Sequence, residues 1–256
     1  MKNLFDLTDK VAIITGATSG MGKAIAEAMG VHGAKVIVSS HDTEGGKETV
    51  KAFKNKNIDA TFIPCNMLKK AEIEQLVAHS LDIYGKIDIL VSCVGVAIPN
   101  SFLDINADDF EKTMSLNLQS AVYLTKLVVP QMQQRQDGSI VYLASIAGVR
   151  GNKNIGLYGI SKAGLIQLAR NLAVEFGPDN IRVNSISPGM IDTPFSQGLM
   201  SNEDFMKKRL ALTPLRRVGT VAEIAGIAVM LASKAGGFIT GQNIIVDGGT
   251  TISDGS

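Results

Sequence analysis

The chain has no tryptophan, two cysteines and three histidines among its 256 residues, and each scarcity narrows what it can be. Cys65 and Cys93 lie far apart without metal-type spacing, and a chain this long needs no disulfide staples, so both are expected reduced, near strand ends. His32, His41 and His79 join no cluster of cysteines or carboxylates, and no metal site is expected. Charge is balanced, with 25 basic against 24 acidic residues and a net charge of +1. The basic residues are spread rather than blocked, which speaks against a nucleic-acid partner and for a small molecule. No run approaches the roughly 20 apolar residues of a membrane span. The opening MKNLFDLTDK lacks the apolar stretch of a signal peptide, so the expected location is the cytoplasm, with no membrane partner.

What the chain does have is 45% hydrophobic residues and 26 glycines, enough to bury most of its apolar surface in one α/β domain over 1–256. Short β-branched runs alternate with longer amphipathic stretches, the pattern of parallel strands joined by crossover helices. Strands are expected at Val11–Thr15, Lys35–Ser39, Ala60–Pro64, Ile87–Ser92, Ser139–Ala144, Arg182–Ser187 and Asn243–Val246. Helices are expected at Gly22–Val31, Glu44–Phe53, Lys70–Tyr84, Asp108–Met132, Tyr158–Phe176 and Val221–Ala232. Together they predict a doubly wound, seven-stranded parallel sheet with helices on both faces. Residues Asp192 to Val218 exceed an ordinary αβ connection and carry a helical pattern at Asn202–Ala211, so they are read as a substrate lid.

Directly after the first strand, VAIITGATSGMG places Gly16, Gly20 and Gly22 at the start of a helix. Glycines there let backbone approach a pyrophosphate that a Cβ would obstruct, while helix N-terminal amides face its charge. Taken alone, the segment also fits an ordinary tight βα turn. Farther on, YGISK sets Tyr158 and Lys162 one helical turn apart on one face. Ser145 stands 13 positions earlier, at the carboxyl end of GSIVYLAS, where ligands of such sheets bind. A phenol titrates near ~10, so proton exchange near neutrality needs a nearby cation, which Lys162 can supply. An exposed helix face is the alternative for the isolated pair.

The TGxxxGxG spacing, the Ser145, Tyr158 and Lys162 set, IRVNSISPGMIDTP and ITGQNIIVDGG together resemble the short-chain dehydrogenase/reductase family over the whole chain. The resemblance implies a Rossmann fold and an NAD(P)-dependent interconversion of carbonyl and alcohol. In that family the serine orients the substrate oxygen, the tyrosine exchanges its proton, and the lysine binds the nicotinamide ribose and lowers the tyrosine's pKa. Asn117 in SLNLQS falls at the place of the family's fourth member, which serves a proton-relay water. The implied dinucleotide contacts are Gly16, Ser19, Gly20, Met21, Gly22, Ser40, His41, Asn66, Met67, Gly95, Tyr158, Lys162, Pro188, Gly189, Ile191 and Thr193. Within the family the likeness leans to carbonyl reductases of the dehydrogenase/reductase-member-4 type and to 3-oxoacyl-carrier-protein reductases. Polyol, sugar-acid and steroid dehydrogenases share the architecture. A homotetramer built on the long helices is also implied.

The pattern departs in three places. The fourth strand ends in SCVG, Ser92 to Gly95, where the family has NNAG. No histidine or basic neighbour in sequence would make Cys93 a thiolate, so a packing substitution is expected. Asn66 replaces a common aspartate, and its carbonyl can still accept a bond from the adenine amine. Ser40 replaces the aspartate of NAD-preferring relatives, and His41 follows it. The missing carboxylate removes repulsion against a 2′-phosphate, so NADP(H) is favoured over NAD(H). From a different class, a catalytically silent dinucleotide-binding redox sensor would fit the fold, but the intact Ser145, Tyr158 and Lys162 argue for an enzyme. A serine hydrolase is excluded because no GxSxG elbow surrounds Ser145.

Overall fold

Runs of Val and Ile suit the pleated, doubly buried surface of a parallel sheet, and seven of them form strands. In chain order these are β1 (Val11–Thr15), β2 (Lys35–Ser40), β3 (Ala60–Pro64), β4 (Ile89–Ser92), β5 (Gly138–Leu143), β6 (Ile181–Pro188) and β7 (Asn243–Val246). The computed structural model describes residues 3–253; residues 1–2 and 254–256, which the expected domain boundaries include, lie outside the described residues. All neighbouring strands pair in parallel, in the order β3-β2-β1-β4-β5-β6-β7. β1, β3 and β7 recur with the expected bounds and the other four strands with shifted ends. Ile87 and Asp88 precede β4 rather than belonging to it, and β5 ends at Leu143, two residues before Ser145.

Alternation along each strand supplies both faces. Ala12 and Ile14 of β1 enter one apolar cluster with Ile25, Met29, Ile224 and Ala228, while Val11 and Ile13 enter another with Ile73, Leu76, Leu124, Val128 and Leu165. The first cluster is roofed by α1 (Gly20–Val31) and α9 (Val221–Ala232), the second by α3 (Lys70–Tyr84), α5 (Ser120–Arg135) and α6 (Gly156–Phe176). Each fully buried Ile or Leu contributes roughly 1.5–3 kcal/mol, so a one-residue slip of any central strand would be prohibitive. Helix α2 (Thr43–Lys54) is capped by Asp42, whose carboxylate accepts from the Gly45 amide at 3.0 Å.

One helix departs from expectation. The predicted Asp108–Met132 helix is interrupted: α4 (Ala107–Met114) passes into a π-helical turn, Ser115–Gln119, before α5 begins. Within the turn the Ser120 amide reaches five residues back to the Ser115 carbonyl, so one extra residue is accommodated. Asn117 sits in that turn.

The stretch predicted as a lid leaves the end of β6 and carries α7 (Gln197–Met200) and α8 (Glu203–Ala211). Its base is pinned: the Asp192 amide donates to the Gly219 carbonyl at 3.0 Å and the Gly219 amide to Met190 at 2.9 Å. Asn202, expected inside the helix, is its cap and accepts from Phe205 at 2.9 Å. Among the described residues no helix is long and apolar enough to cross a membrane, and no group of three or more His, Cys, Asp or Glu could hold a metal ion.

Candidate active site

The chain winds from β1 outward to β3, then returns to β4 on the other side, so a crevice opens beyond the carboxyl ends of β1 and β4. A cleft of about 460 Å³ lies there. Of the predicted contacts, Gly16, Ser19, Gly20, Met21, Gly22, Ser40, His41, Asn66, Met67, Gly95, Tyr158, Lys162 and Thr193 line it. Asn117, Ser145, Pro188, Gly189 and Ile191 stand outside that lining. Thr18, Cys93, Val94, Leu143, Pro194 and Phe195 line it without having been predicted as contacts.

At one end the backbone turns as a close-fitting cradle. Gly16 and Gly20 adopt left-handed φ values of +65° and +52°, and a Cβ on Gly22 would collide with the Gly16 carbonyl. Ser19 places no side-chain cap on α1, which leaves the helix's first amides open to an anion. A cradle that a Cβ would fill, ending on uncapped helix amides, fits the pyrophosphate of a dinucleotide. Ser40 is buried at the end of β2, accepts from the Asp42 amide at 3.1 Å and receives the Thr18 hydroxyl at 3.2 Å. His41 beside it is exposed, and no carboxylate occupies the Ser40 position itself. The Asn66 carbonyl already accepts from Leu68 at 3.0 Å, which leaves one lone pair for a ligand.

At the other end four predicted residues converge through backbone as much as side chains. Asn117 is buried; its Oδ1 accepts from the Val96 amide at 2.7 Å, and its Nδ2 donates to the Val96 carbonyl and to Ser161 Oγ, both at 2.9 Å. Ser161 in turn donates to the Tyr158 carbonyl at 2.8 Å. The π turn thus ties the loop after β4 to the helix that carries Tyr158. Ser161 was missed, although its place inside YGISK was the available signal. Lys162 is 4% exposed; its Nζ donates to the Leu143 carbonyl at 2.7 Å and lies 5.6 Å from the Tyr158 ring centroid. Gly95 leaves room here, since a Cβ would stand at a tight 3.1 Å from Lys162 Nζ and 3.3 Å from Asn117 Oδ1. Ser145 accepts from the Ala147 amide at 3.1 Å, which leaves its hydroxyl hydrogen for another acceptor.

Burial dominates the electrostatics. It pushes the Lys162 ammonium down to about 8, with Cys93 pulling the other way. Burial also holds the Tyr158 phenol above its ordinary value, while the Ser145 hydroxyl beside it acts to lower it. The cation expected to depress the phenol is itself desolvated and directed at a carbonyl. Cys93 has a basic neighbour after all, because Lys162 approaches it in space; burial still outweighs that charge and pushes the thiol up to about 11. Its amide donates to Thr15 Oγ1 at 3.1 Å, in keeping with a packing role.

Downstream of β6, Pro188 pairs with Val246, and Gly189 packs so tightly on Asp247 that a Cβ would fall 2.8 Å from its Cα. Ile191 is in the core, and its carbonyl accepts from Ser196 at 2.6 Å. Thr193 faces the cleft, 3.5 Å from the Cβ that Gly20 lacks. Phe195 lies against Tyr158 with ring centroids 6.3 Å apart.

A family model described as enoyl-(acyl carrier protein) reductase matches residues 16–251. The chain is 37% identical to dehydrogenase/reductase SDR family member 4 of Sus scrofa, over 95% of its own length and 88% of that protein. It is 36% identical to a tropinone reductase homolog of Arabidopsis thaliana, over 98% of its length and 93% of that protein. Among solved structures it is similar to a provisionally assigned gluconate dehydrogenase from Agrobacterium tumefaciens, with a TM-score of 0.95 at 31% identity, covering 97% and 98% of the two chains. A short-chain type dehydrogenase/reductase from Mycobacterium marinum gives a TM-score of 0.92 at 30% identity, with the same coverage.

Proposed function

The chain belongs to the short-chain dehydrogenase/reductase family of oxidoreductases, which use a nicotinamide dinucleotide, and on that premise we propose that it is an NADP(H)-preferring reductase of a carbonyl or ketone. The observation that carries the reading is the convergence of Ser145, Tyr158, Lys162 and Asn117 beside one cleft whose far end is a glycine cradle. The relatives named dehydrogenase/reductase and tropinone reductase homolog agree with it.

In this reading the glycine turn and the first amides of α1 hold the pyrophosphate, and Lys162 Nζ holds the nicotinamide ribose. The bound nicotinamide supplies or accepts the hydride. Ser145 donates its free hydroxyl hydrogen to the substrate oxygen, and Tyr158 gives the proton to that oxygen or takes it back. Lys162, when charged, favours the phenolate that this exchange requires. Asn117 holds the Val96 loop and α6 together so that the Tyr158 hydroxyl keeps its position. Phe195 and the excursion over 192–218 cover the reacting end and keep water from it.

The NADP(H) preference rests on Ser40, which offers a hydroxyl where a carboxylate would repel a 2′-phosphate. Exposed apolar residues on α5 and α6, among them Val122, Ile160 and Val174, support assembly of a tetramer through those helices, which sedimentation tests. A screen of ketones, aldehydes and alcohols against NADPH and NADH tests the function directly. Reduction of at least one carbonyl class with NADPH preferred is the expected outcome; dinucleotide binding with no turnover of any member would instead assign a redox sensor.

A further inference from the structure

The loop that follows β4 is tied down at two points, and both ties lead to the helix that carries Tyr158. The first is Asn117, which holds the amide and carbonyl of Val96 and reaches the Tyr158 carbonyl through Ser161. The second is Asn100, which pairs in parallel with Ile155, its amide donating to the Asn154 carbonyl at 2.9 Å. The Asn100 side chain is held in turn, its Nδ2 donating to Asp109 Oδ2 at 2.6 Å. Asp109 sits in the first turn of α4, where unpaired helix amides favour a carboxylate. Its amide donates to Oδ1 of the capping Asn106 at 2.8 Å, and Asn106 Nδ2 donates to the same Oδ2 at 3.0 Å. The carboxylate therefore accepts from two side-chain amides while being fixed to a helix cap, and bonds to an ionised acceptor are the stronger kind.

What Asn100 reaches is the start of α6. Ile155 stands at the N-cap, and isoleucine has no side-chain oxygen for the first amides and ranks among the poorest caps. Asn154 before it is left-handed, with φ +64°, a conformation that asparagine tolerates better than most residues. Tyr158 follows in the first turn. The place of that turn depends on a bond from outside the helix. The turn at Ser145 is held separately: Asn152 Nδ2 donates to the Ala147 and Arg150 carbonyls at 3.3 and 2.8 Å, and Gly148 packs so closely that a Cβ would fall 2.6 Å from the Ala163 nitrogen. Loosening Asn100 would shift Tyr158 and leave Ser145 in place. A misplacement of about 1 Å between reacting groups costs on the order of a hundredfold in rate.

We propose that Asp109 is a positioning residue: acting through Asn100, it holds the first turn of α6, and with it the Tyr158 hydroxyl, in register with Ser145. Its part in turnover rests on the reductase reading, and two measurements let the strut and that reading fail separately. Asp109→Ala, Asp109→Asn, Asn100→Ala and the double alanine variant are compared with wild type. Steady-state kinetics on a carbonyl that wild type reduces give kcat and KM, and dinucleotide affinity is measured alongside. Hydrogen exchange read by mass spectrometry follows residues 155–161 without any turnover. In Asp109→Ala, kcat should fall by roughly ten- to a hundredfold with dinucleotide affinity changed by less than about twofold. Exchange should rise over 155–161 and stay unchanged in β1 and α1. Asp109→Asn keeps an acceptor for Asn100 and should recover most of the loss. Asn100→Ala should fall as far as Asp109→Ala, and the double variant no further, because the two side chains act as one unit. Asn100→Ala leaves the α4 cap intact, so it carries the test if Asp109→Ala does not fold. Faster exchange confined to α4, with kcat unchanged, reduces Asp109 to a cap and overturns the proposal while the reductase stands. Faster exchange over 155–161 in a protein that reduces no carbonyl keeps the strut and removes the reductase reading.

Discussion

Replacing Lys162 with methionine gives a test in which the sign and the size both follow from burial. The ammonium is held down to about 8 in the folded chain against an ordinary 10.5, so between those pH values the unfolded state binds a proton that the folded state does not. Stability therefore rises with pH through that window. The contribution is complete above 10.5 and is lost as pH falls through about 8, below which the folded chain carries a buried charge. Each pH unit is worth 1.36 kcal/mol, so the whole effect is about 3 kcal/mol. Methionine keeps the apolar stem and cannot titrate. It also leaves the Leu143 carbonyl without its donor, a loss that does not change with pH. The raised Tyr158 phenol and Cys93 thiol act in the opposite direction, destabilising the folded chain as pH climbs above their ordinary values; both are present in the two proteins and cancel in the difference apart from the coupling of Cys93 to the Lys162 charge, which is smaller than the burial effect. Urea unfolding of ligand-free wild type and Lys162→Met across the window should show their stability difference moving by about 3 kcal/mol in favour of wild type as pH rises. A flat difference would refute the desolvated lysine, and a difference moving the other way would mean that an undetected anion holds its proton.

Other consequences can be measured alongside. Asn117→Ala strips partners from the Val96 amide and carbonyl and should cost about 2–4 kcal/mol in urea unfolding, with Asn117→Asp intermediate because it retains the acceptor. Ser40→Asp sets a carboxylate where a 2′-phosphate would lie and should shift the NADPH-to-NADH ratio of kcat/KM toward NADH by about tenfold or more; an unchanged ratio removes Ser40 from cofactor choice. With its thiol near 11, Cys93 should alkylate about a hundredfold more slowly than an unperturbed cysteine at neutral pH, and about tenfold faster per pH unit, as mass spectrometry of iodoacetamide-treated protein would show.

Strands were legible because central parallel strands need unbroken apolar runs, and runs such as VAIIT and KVIVSS serve no other purpose so well. Four strands moved at their ends by a residue or two because end residues are fixed by neighbouring strands, as when Ser40 joins β2 by pairing with Pro64. The π turn was invisible for a sharper reason. One inserted residue leaves the apolar pattern on both sides intact, and only the Ser120-to-Ser115 bond betrays it. That Ser145, Tyr158 and Lys162 lie together was readable from their types and spacing. What held Lys162 was not, because its acceptor is the main chain of Leu143. The meeting of Lys162 and Cys93 at one cleft joins segments far apart in sequence, which no local pattern records.

The central claim is that the Tyr158 hydroxyl carries the proton. Tyr158→Phe removes one oxygen and leaves the ring against Phe195 and Lys162. Turnover of a carbonyl reduced by wild type, measured together with dinucleotide affinity by fluorescence titration, decides it. The account predicts a loss of kcat of about a hundred- to ten-thousandfold with binding nearly unchanged; a variant that reduces the carbonyl at the wild-type rate would contradict it.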